Sequence, residues 1–307
     1  LGNHKGKVFP SEAFGTRTIE TALKTLFDEA EYRKHAAIPN RQKLENTLFV
    51  NIIEPAMDKM LSIYKMLVTL PGSPADFAGD RLGLTGYESK AKNYHQQNRN
   101  VIPWEYLEKG NDEKYELIKK FYKKMNEIAG LRHRPELSAL NNGSSAVIPV
   151  TGYKKIQRDE KGNFKRNKDG SFAMEIQQNA SDRLQAVLRY NGEGSIVLSL
   201  YNNTGASADN TKPMDRAKQT DEIYERIILN PDSAGVKEGL KHGLKAGMKF
   251  KNAANNDEYE IKEFSENGKT YYSLEPAAKI NSAGAVKNPI KISPDELNTM
   301  ILYSTGS

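Results

Sequence analysis

An apolar helical run that ends in Leu70-Pro71-Gly72-Ser73-Pro74 constrains this chain more than any other feature. Two prolines and a glycine within five residues stop a helix, because proline lacks the N–H a helix needs and biases the residue before it towards extended backbone. The spacing predicts that a short strand follows and breaks at Gly79-Asp80, leaving the Asp80 carboxylate at the carboxyl end of that strand. In α/β barrels that end is where sites are built. Downstream, Arg99-Asn100-Val101-Ile102-Pro103-Trp104 closes a long polar stretch that contains Gly86-Tyr87-Glu88 and Asn93-Tyr94-His95-Gln96-Gln97-Asn98. A loop of that length inside a compact domain is usually functional.

Helical periodicity surrounds this stretch. Ile19, Ala22, Leu23, Leu26, Phe27 and Ala30 fall at steps of three and four, and a second run passes through Leu44, Leu48, Ile52 and Ile53 to Pro55. Pro55 suits the opening of the next helix. That helix carries Met57, Met60, Leu61, Tyr64, Leu67 and Val68 around much of its circumference, so it needs cover on more than one side. A further helix is expected from about residue 112 to Gly130, with Leu117, Ile118, Phe121, Tyr122, Met125 and Ile128 facing inwards and the glycine at its end.

After Gly143 the period changes. Residues 146–150, 172–176, 184–190, 195–201, 248–250, 258–264, 270–274, 290–292 and 300–303 read as short strands, parted by Gly, Asn and Asp. Asn267-Gly268 between two of them is a hairpin signal, because both residue types tolerate positive φ. Residues 203–247 read as an insertion near the surface, with a short helix over 221–229.

The Pro-Gly-Ser-Pro stop, the Gly79-Asp80 break and the Arg99–Trp104 segment together resemble the last βα unit of the α-amylase superfamily, glycoside hydrolase family 13. There a helix ending Leu-Pro-Gly-Thr-Pro leads to a strand ending Tyr-Gly-Asp-Glu and then to Arg-x-Pro-Met-x-Trp. Here Ser73 stands for Thr, Ala78 for Tyr and Arg81 for Glu. Leu131-Arg132 with Leu137 and Leu140 resembles the segment that joins the last barrel helix to the family's β domain. Residues 184–190 and 196–202 resemble paired strands of that domain.

The resemblance implies an α+β multi-domain chain: a mostly helical, carboxyl-terminal portion of a (β/α)8 barrel over 1–143, then an antiparallel β-sandwich over 144–307. A whole barrel needs about 250 residues, so the chain reads as an excised portion of a longer polypeptide, partnered by the remaining barrel residues. The implied parent is a secreted bacterial hydrolase or transglycosylase acting on α-glucans or oligosaccharides, outside the cell or at its surface. The rival reading is a non-catalytic carbohydrate-binding or cell-surface protein on a degenerate amylase scaffold.

Retaining glycosidases need two carboxyl groups about 5 Å apart, one of them kept protonated. The family motifs that supply them, Gly-x-Arg-x-Asp, a strand-end Glu and Asn-His-Asp, are not intact here. Glu12, after Val8-Phe9-Pro10-Ser11, is the one candidate acid, set against an exposed loop carboxylate. Asp80 is expected to wall the site rather than catalyse, set against a turn Asp. Arg81 removes an acid where the family has one. Tyr87, Tyr94, His95 and Arg99 are candidate sugar contacts, set against ordinary loop residues. Trp104, the only tryptophan, either stacks on a sugar or packs as a buried anchor, the latter being commoner in this motif.

Composition closes other routes. There is no cysteine, which removes disulfides and thiolate metal sites. The net charge of +6 is dispersed, and the densest basic region, residues 154–168, is interleaved with acids and glycines, as an exposed hairpin would be; nucleic acid is not an expected partner. No apolar run reaches the roughly 18 residues needed to span a bilayer. No metal-ligand spacing stands out and no cofactor is evident; Ca²⁺ enters only through the family resemblance.

Overall fold

The computed structural model describes residues 52–76, 79–83, 102–109, 113–150, 153–156, 165–166, 174–177, 184–202, 222–266, 268–277, 290–292, 297 and 299–305. The chain divides into two units. One takes in Leu1–Lys65, Pro74–Gly130 and Ser207–Arg216; the other takes in Met66–Ser73, Leu131–Ala206 and Ala217–Ser307.

In the first unit the regular elements among the described residues are all helical. Helix α1, Glu54–Thr69, begins in this unit and ends in the other. Pro55 lies in its first turn, where the missing N–H costs nothing. Ile53, Met57, Leu61 and Tyr64 are buried at steps of four, four and three. Helix α2, Glu113–Gly130, buries Tyr115, Ile118, Phe121, Met125 and Ile128 at steps of three and four. A 3-10 turn, Asp80–Leu82, packs on α2, and a second, Trp104–Leu107, lies along it.

The second unit is a curled antiparallel sheet. Its strands are β1 Ser144–Ile148, β2 Tyr153–Ile156, β3 Met174–Gln177, β4 Leu184–Tyr190, β5 Ile196–Asn202, β6 Glu222–Leu229, β7 Lys249–Asn252, β8 Glu258–Glu266, β9 Lys269–Pro276, β10 Ile290–Ile292 and β11 Thr299–Ser304. Eight of them run side by side in the order β1-β4-β5-β11-β7-β8-β9-β6. An antiparallel bridge between Val150, just beyond β1, and Leu229 at the end of β6 brings the two edges together. β2 and β10 also pair with β6, and β3 with β2. Curling hides strand edges that would otherwise template aggregation.

Alternation along the strands builds the interior. Ala186, Leu188 and Tyr190 of β4, Ile196, Leu198 and Leu200 of β5, Tyr224, Ile227 and Leu229 of β6, and Tyr259 and Ile261 of β8 all join one core. β5 is buried at every position, because its outer face is covered too. Val197 and, on β11, Ile301 pack under Leu137, Ala139 and Leu140, which lead through a 3-10 turn into the short helix α3, Ala139–Asn142. Helix α4, Ala234–Lys241, is capped by Ser233, whose hydroxyl accepts from the Val236 amide at 3.2 Å. It lies on β1 so closely that a Cβ at Gly235 would stand 2.1 Å from the Val147 carbonyl oxygen.

Several expectations are corrected. The architecture is α+β, but it is not mostly helical, and no strand of a (β/α)8 barrel occurs among the described residues. The β elements form one curled sheet in place of the two sheets of a sandwich. The short helix expected over 221–229 is corrected: Glu222–Leu229 form β6, whose Tyr224, Ile227 and Leu229 are fully buried. The sequence Glu222-Ile-Tyr-Glu-Arg-Ile-Ile-Leu229 fits both periods over its short length, and the open edges of β9 and β2 decide for strand. The expected hairpin between β8 and β9 forms, with Glu266 opposite Lys269 and Gly268 at φ +73°; Asn267 lies outside the described residues.

Candidate functional site

The residues around Asp80 do not form the strand end anticipated from the sequence. Residues 73–76 carry no regular structure, 77 and 78 lie outside the described residues, and Asp80 opens the 3-10 turn. Two glycines with positive φ, Gly79 at +98° and Gly83 at +69°, bracket that turn. Backbone bonds from Leu82 N to Gly79 O and from Gly83 N to Asp80 O, both 2.9 Å, close it. Burial of Leu82 pulls it onto the helices, and Gly83 is wedged where an added Cβ would come within 2.9 Å of Met57 Cε and 3.8 Å of a Phe121 ring carbon. Asp80 is half-buried in this turn.

Arg81 is committed within the first unit. Its Nε donates to Asp76 Oδ2 at 2.6 Å, and its Nη1 donates to the Asn126 side-chain oxygen on α2. The hydrogen bond to Asp76 holds the guanidinium pKa above its ordinary value against the opposing effect of burial. Arg81 therefore ties Asp76 and the 80–82 turn to α2.

Trp104 is the second correction. The buried anchor expected from its motif is a half-exposed ring, 51% accessible, set edge-on to Tyr122 at 6.5 Å and 83°. Tyr122 is on the same face of α2 as Tyr115, which meets Tyr106 at 5.3 Å. Lys109 Nζ lies over both of those rings, 5.5 Å from the Tyr106 centroid and 5.2 Å from that of Tyr115. Glu12, Tyr87, Tyr94, His95 and Arg99 lie outside the described residues. The structure thus brings Asp80, Arg81 and Trp104 onto elements packed along α2. Among the described residues no group of three or more His, Asp or Glu side chains converges, so these residues do not supply the acidic nest that Ca²⁺ requires.

Sequence reasoning missed a joint in the second unit. Helix α1 has no basic residue in its last turn, so its carbonyl end needs partners from elsewhere. Arg132 supplies three N–H groups: Nε to Val68 O at 2.7 Å, Nη2 to Leu70 O at 2.7 Å and Nη1 to Gly72 O at 2.6 Å. Arg189, only 1% exposed, donates to Gly143 O at 2.7 Å, Ser144 O at 3.2 Å and Thr69 O at 3.3 Å. Burial first, and the neighbouring Arg132 charge second, lower the Arg189 pKa. The Thr69 hydroxyl donates to Met66 O at 2.7 Å and also meets the Tyr201 hydroxyl. The signal for this joint was present: a helix stop without its own cation, and an arginine just past the end of α2.

No protein-family model matches this chain, and no curated protein sequence matches it.

Proposed function

We propose that the chain is the carboxyl-terminal part of a secreted hydrolase of the α-amylase type acting on α-glucans. In this reading residues 1–143 belong to the end of a (β/α)8 barrel, and the curled sheet is the β domain that follows it. The segment contributes Asp80, Trp104 and the 84–109 stretch to a sugar-facing surface, with Tyr87, Tyr94, His95 and Arg99 as further contacts. Its catalytic carboxylates lie elsewhere in the parent polypeptide.

One observation carries the reading: three of the stretches that bear the sequence resemblance are bonded to one another. Arg132 of the Leu131-Arg132 pair holds the carbonyls of Leu70 and Gly72 in the Leu-Pro-Gly stop. Arg189, in the strand that resembles the family's β domain, holds the carbonyl of Thr69 at the same helix end. Motifs that were separate in the sequence serve one joint, as expected of a shared architecture rather than a chance match of short patterns.

Arg81 favours the rival, a non-catalytic carbohydrate-binding or surface protein. Its guanidinium is bound to Asp76 and Asn126 where an active enzyme of the family carries an acid. Both readings make the chain a carbohydrate binder, and they separate on turnover by the parent. Electrophoresis of the whole chain through native gels containing soluble starch tests the shared claim: retardation relative to a starch-free gel is expected, and equal mobility overturns it. A reducing-sugar assay on the same chain is expected to show no release; robust release overturns the placement of the catalytic groups elsewhere.

A further inference from the structure

We propose that Trp104 is a stacking platform for a glucose ring of an α-glucan, oriented by Tyr122 and bordered by the Tyr106–Lys109–Tyr115 group. The inference rests on the carbohydrate reading above and names its contact surface.

The argument starts from an indole that the fold leaves open although it fixes its position. Pro103 precedes it, Trp104 N bonds Ile102 O at 2.9 Å, and Tyr106 N bonds Pro103 O at 3.0 Å, so the main chain is held in a 3-10 turn. The near-perpendicular contact with Tyr122 is an edge-to-face arrangement, favourable for the ring quadrupoles. Such a contact orients the indole without covering it, and half of the residue remains accessible. A rigid, open, π-bearing surface suits a ligand that presents a flat array of C–H bonds. A pyranose does so on its ring faces while its hydroxyls project around the equator.

The rim meets those hydroxyls. Tyr115 and Tyr122 are seven residues apart on α2, two turns and roughly 10 Å along the same face. The Trp104–Leu107 turn therefore lays Trp104 against one and Tyr106 against the other. Lys109 is exposed, with its ammonium over both tyrosine rings and 3.4 Å from the Tyr115 hydroxyl. That cation–π placement holds a hydrogen-bond donor one residue beyond the end of the Trp104–Glu108 stretch, with no carboxylate partner among the described residues. Glu105, also exposed, adds an acceptor on the same turn. An uncharged polyol fits such a mixed rim.

The chain carries its own reporter, because Trp104 is the only tryptophan. Titrating the whole chain with maltoheptaose is expected to give a saturable blue shift of the tryptophan emission, with cellohexaose as the comparison sugar. Trp104→Ala is expected to weaken retardation in starch gels about tenfold, Trp104→Tyr by less, with circular dichroism checking that each variant folds. Retardation with unmoved emission, and unchanged in Trp104→Ala, overturns the platform while leaving the carbohydrate reading intact. Absence of both retardation and emission change overturns both. An equal emission response to cellohexaose overturns the α-glucan assignment. The emission experiment uses the unaltered chain, so it decides the question even where a variant fails to fold.

Discussion

Arg132 and Arg81 each follow a helix or turn boundary that the sequence marks with glycine, yet they are held in opposite ways. Arg132 is buried in the second unit and spends three donors on main-chain carbonyls. Arg81 is half-buried in the first unit and leans on a carboxylate and an amide side chain. Carbonyls at a helix end cannot move away or find water once covered, so a guanidinium that serves them is part of the fold. A carboxylate near the surface has water as an alternative partner, so the Arg81–Asp76 pair adjusts a local segment at little cost or gain. The lesson is that the strength of an arginine contact is set by what its partner does when the arginine is gone.

The sharpest way to break this comparison is to remove the more buried of the two arginines of the joint. Arg189→Met is expected to destabilise the protein by about 3 kcal/mol or more in urea unfolding, since it removes the guanidinium donor from the carbonyls of Gly143, Ser144 and Thr69. A loss below about 1 kcal/mol would mean that water reaches those carbonyls. Arg132→Lys keeps the charge at the negative end of α1 but loses the planar fork. It is expected to cost about 2 kcal/mol, and a neutral outcome would show that charge alone suffices there.

Arg81→Ala tests the other side, with an expected cost below about 1 kcal/mol. A cost equal to that of Arg132→Lys would erase the distinction between the two arginines.

The smallest effect is in pH dependence. Burial pushes the Glu275 carboxyl pKa up, but hydrogen bonds from Lys262 at 2.8 Å and Ser273 at 2.9 Å outweigh it and leave the value lowered. A carboxyl held below its unfolded value contributes stability above the unfolded pKa of about 4.3. That contribution is lost as the pH falls through the folded value. Glu275→Gln should therefore flatten the fall of the urea midpoint between pH 5 and pH 3 relative to the unaltered chain. Parallel curves would show that the Lys262–Ser273–Glu275 cluster contributes nothing to acid sensitivity.

Where local signals were strong, the elements were legible in advance. Helix α2 ends at Gly130 as read, β4 spans the anticipated residues, and the Asn-Gly hairpin joins β8 to β9. The failures cluster where a short segment satisfies two periods or where a neighbour decides. The sequence of β6 does not by itself exclude the helix expected over 221–229, because eight residues with Tyr224, Ile227 and Leu229 as apolar positions suit either geometry until partner strands are present. The strand end expected at Asp80 follows from the proline stop, the Gly79-Asp80 break and the resemblance, but positive-φ glycines on either side of residues 80–82 set a 3-10 turn there. Of the candidate site, the residue types were legible at Asp80, Arg81 and Trp104; their partners Asp76, Asn126 and Tyr122 were not, because they depend on which face of α2 meets each turn.

Periodicity, the proline–glycine stop and the turn residues determined where helices and strands lie, since these follow from backbone sterics and alternation within a few residues. Only the tertiary structure decided that Arg132 and Arg189 would close the end of α1, that the sheet would curl until Val150 meets Leu229, and that Trp104 would stay open. Each of those outcomes pairs groups far apart in the chain, and the burial and hydrogen-bond needs that pair them exist only once the elements pack.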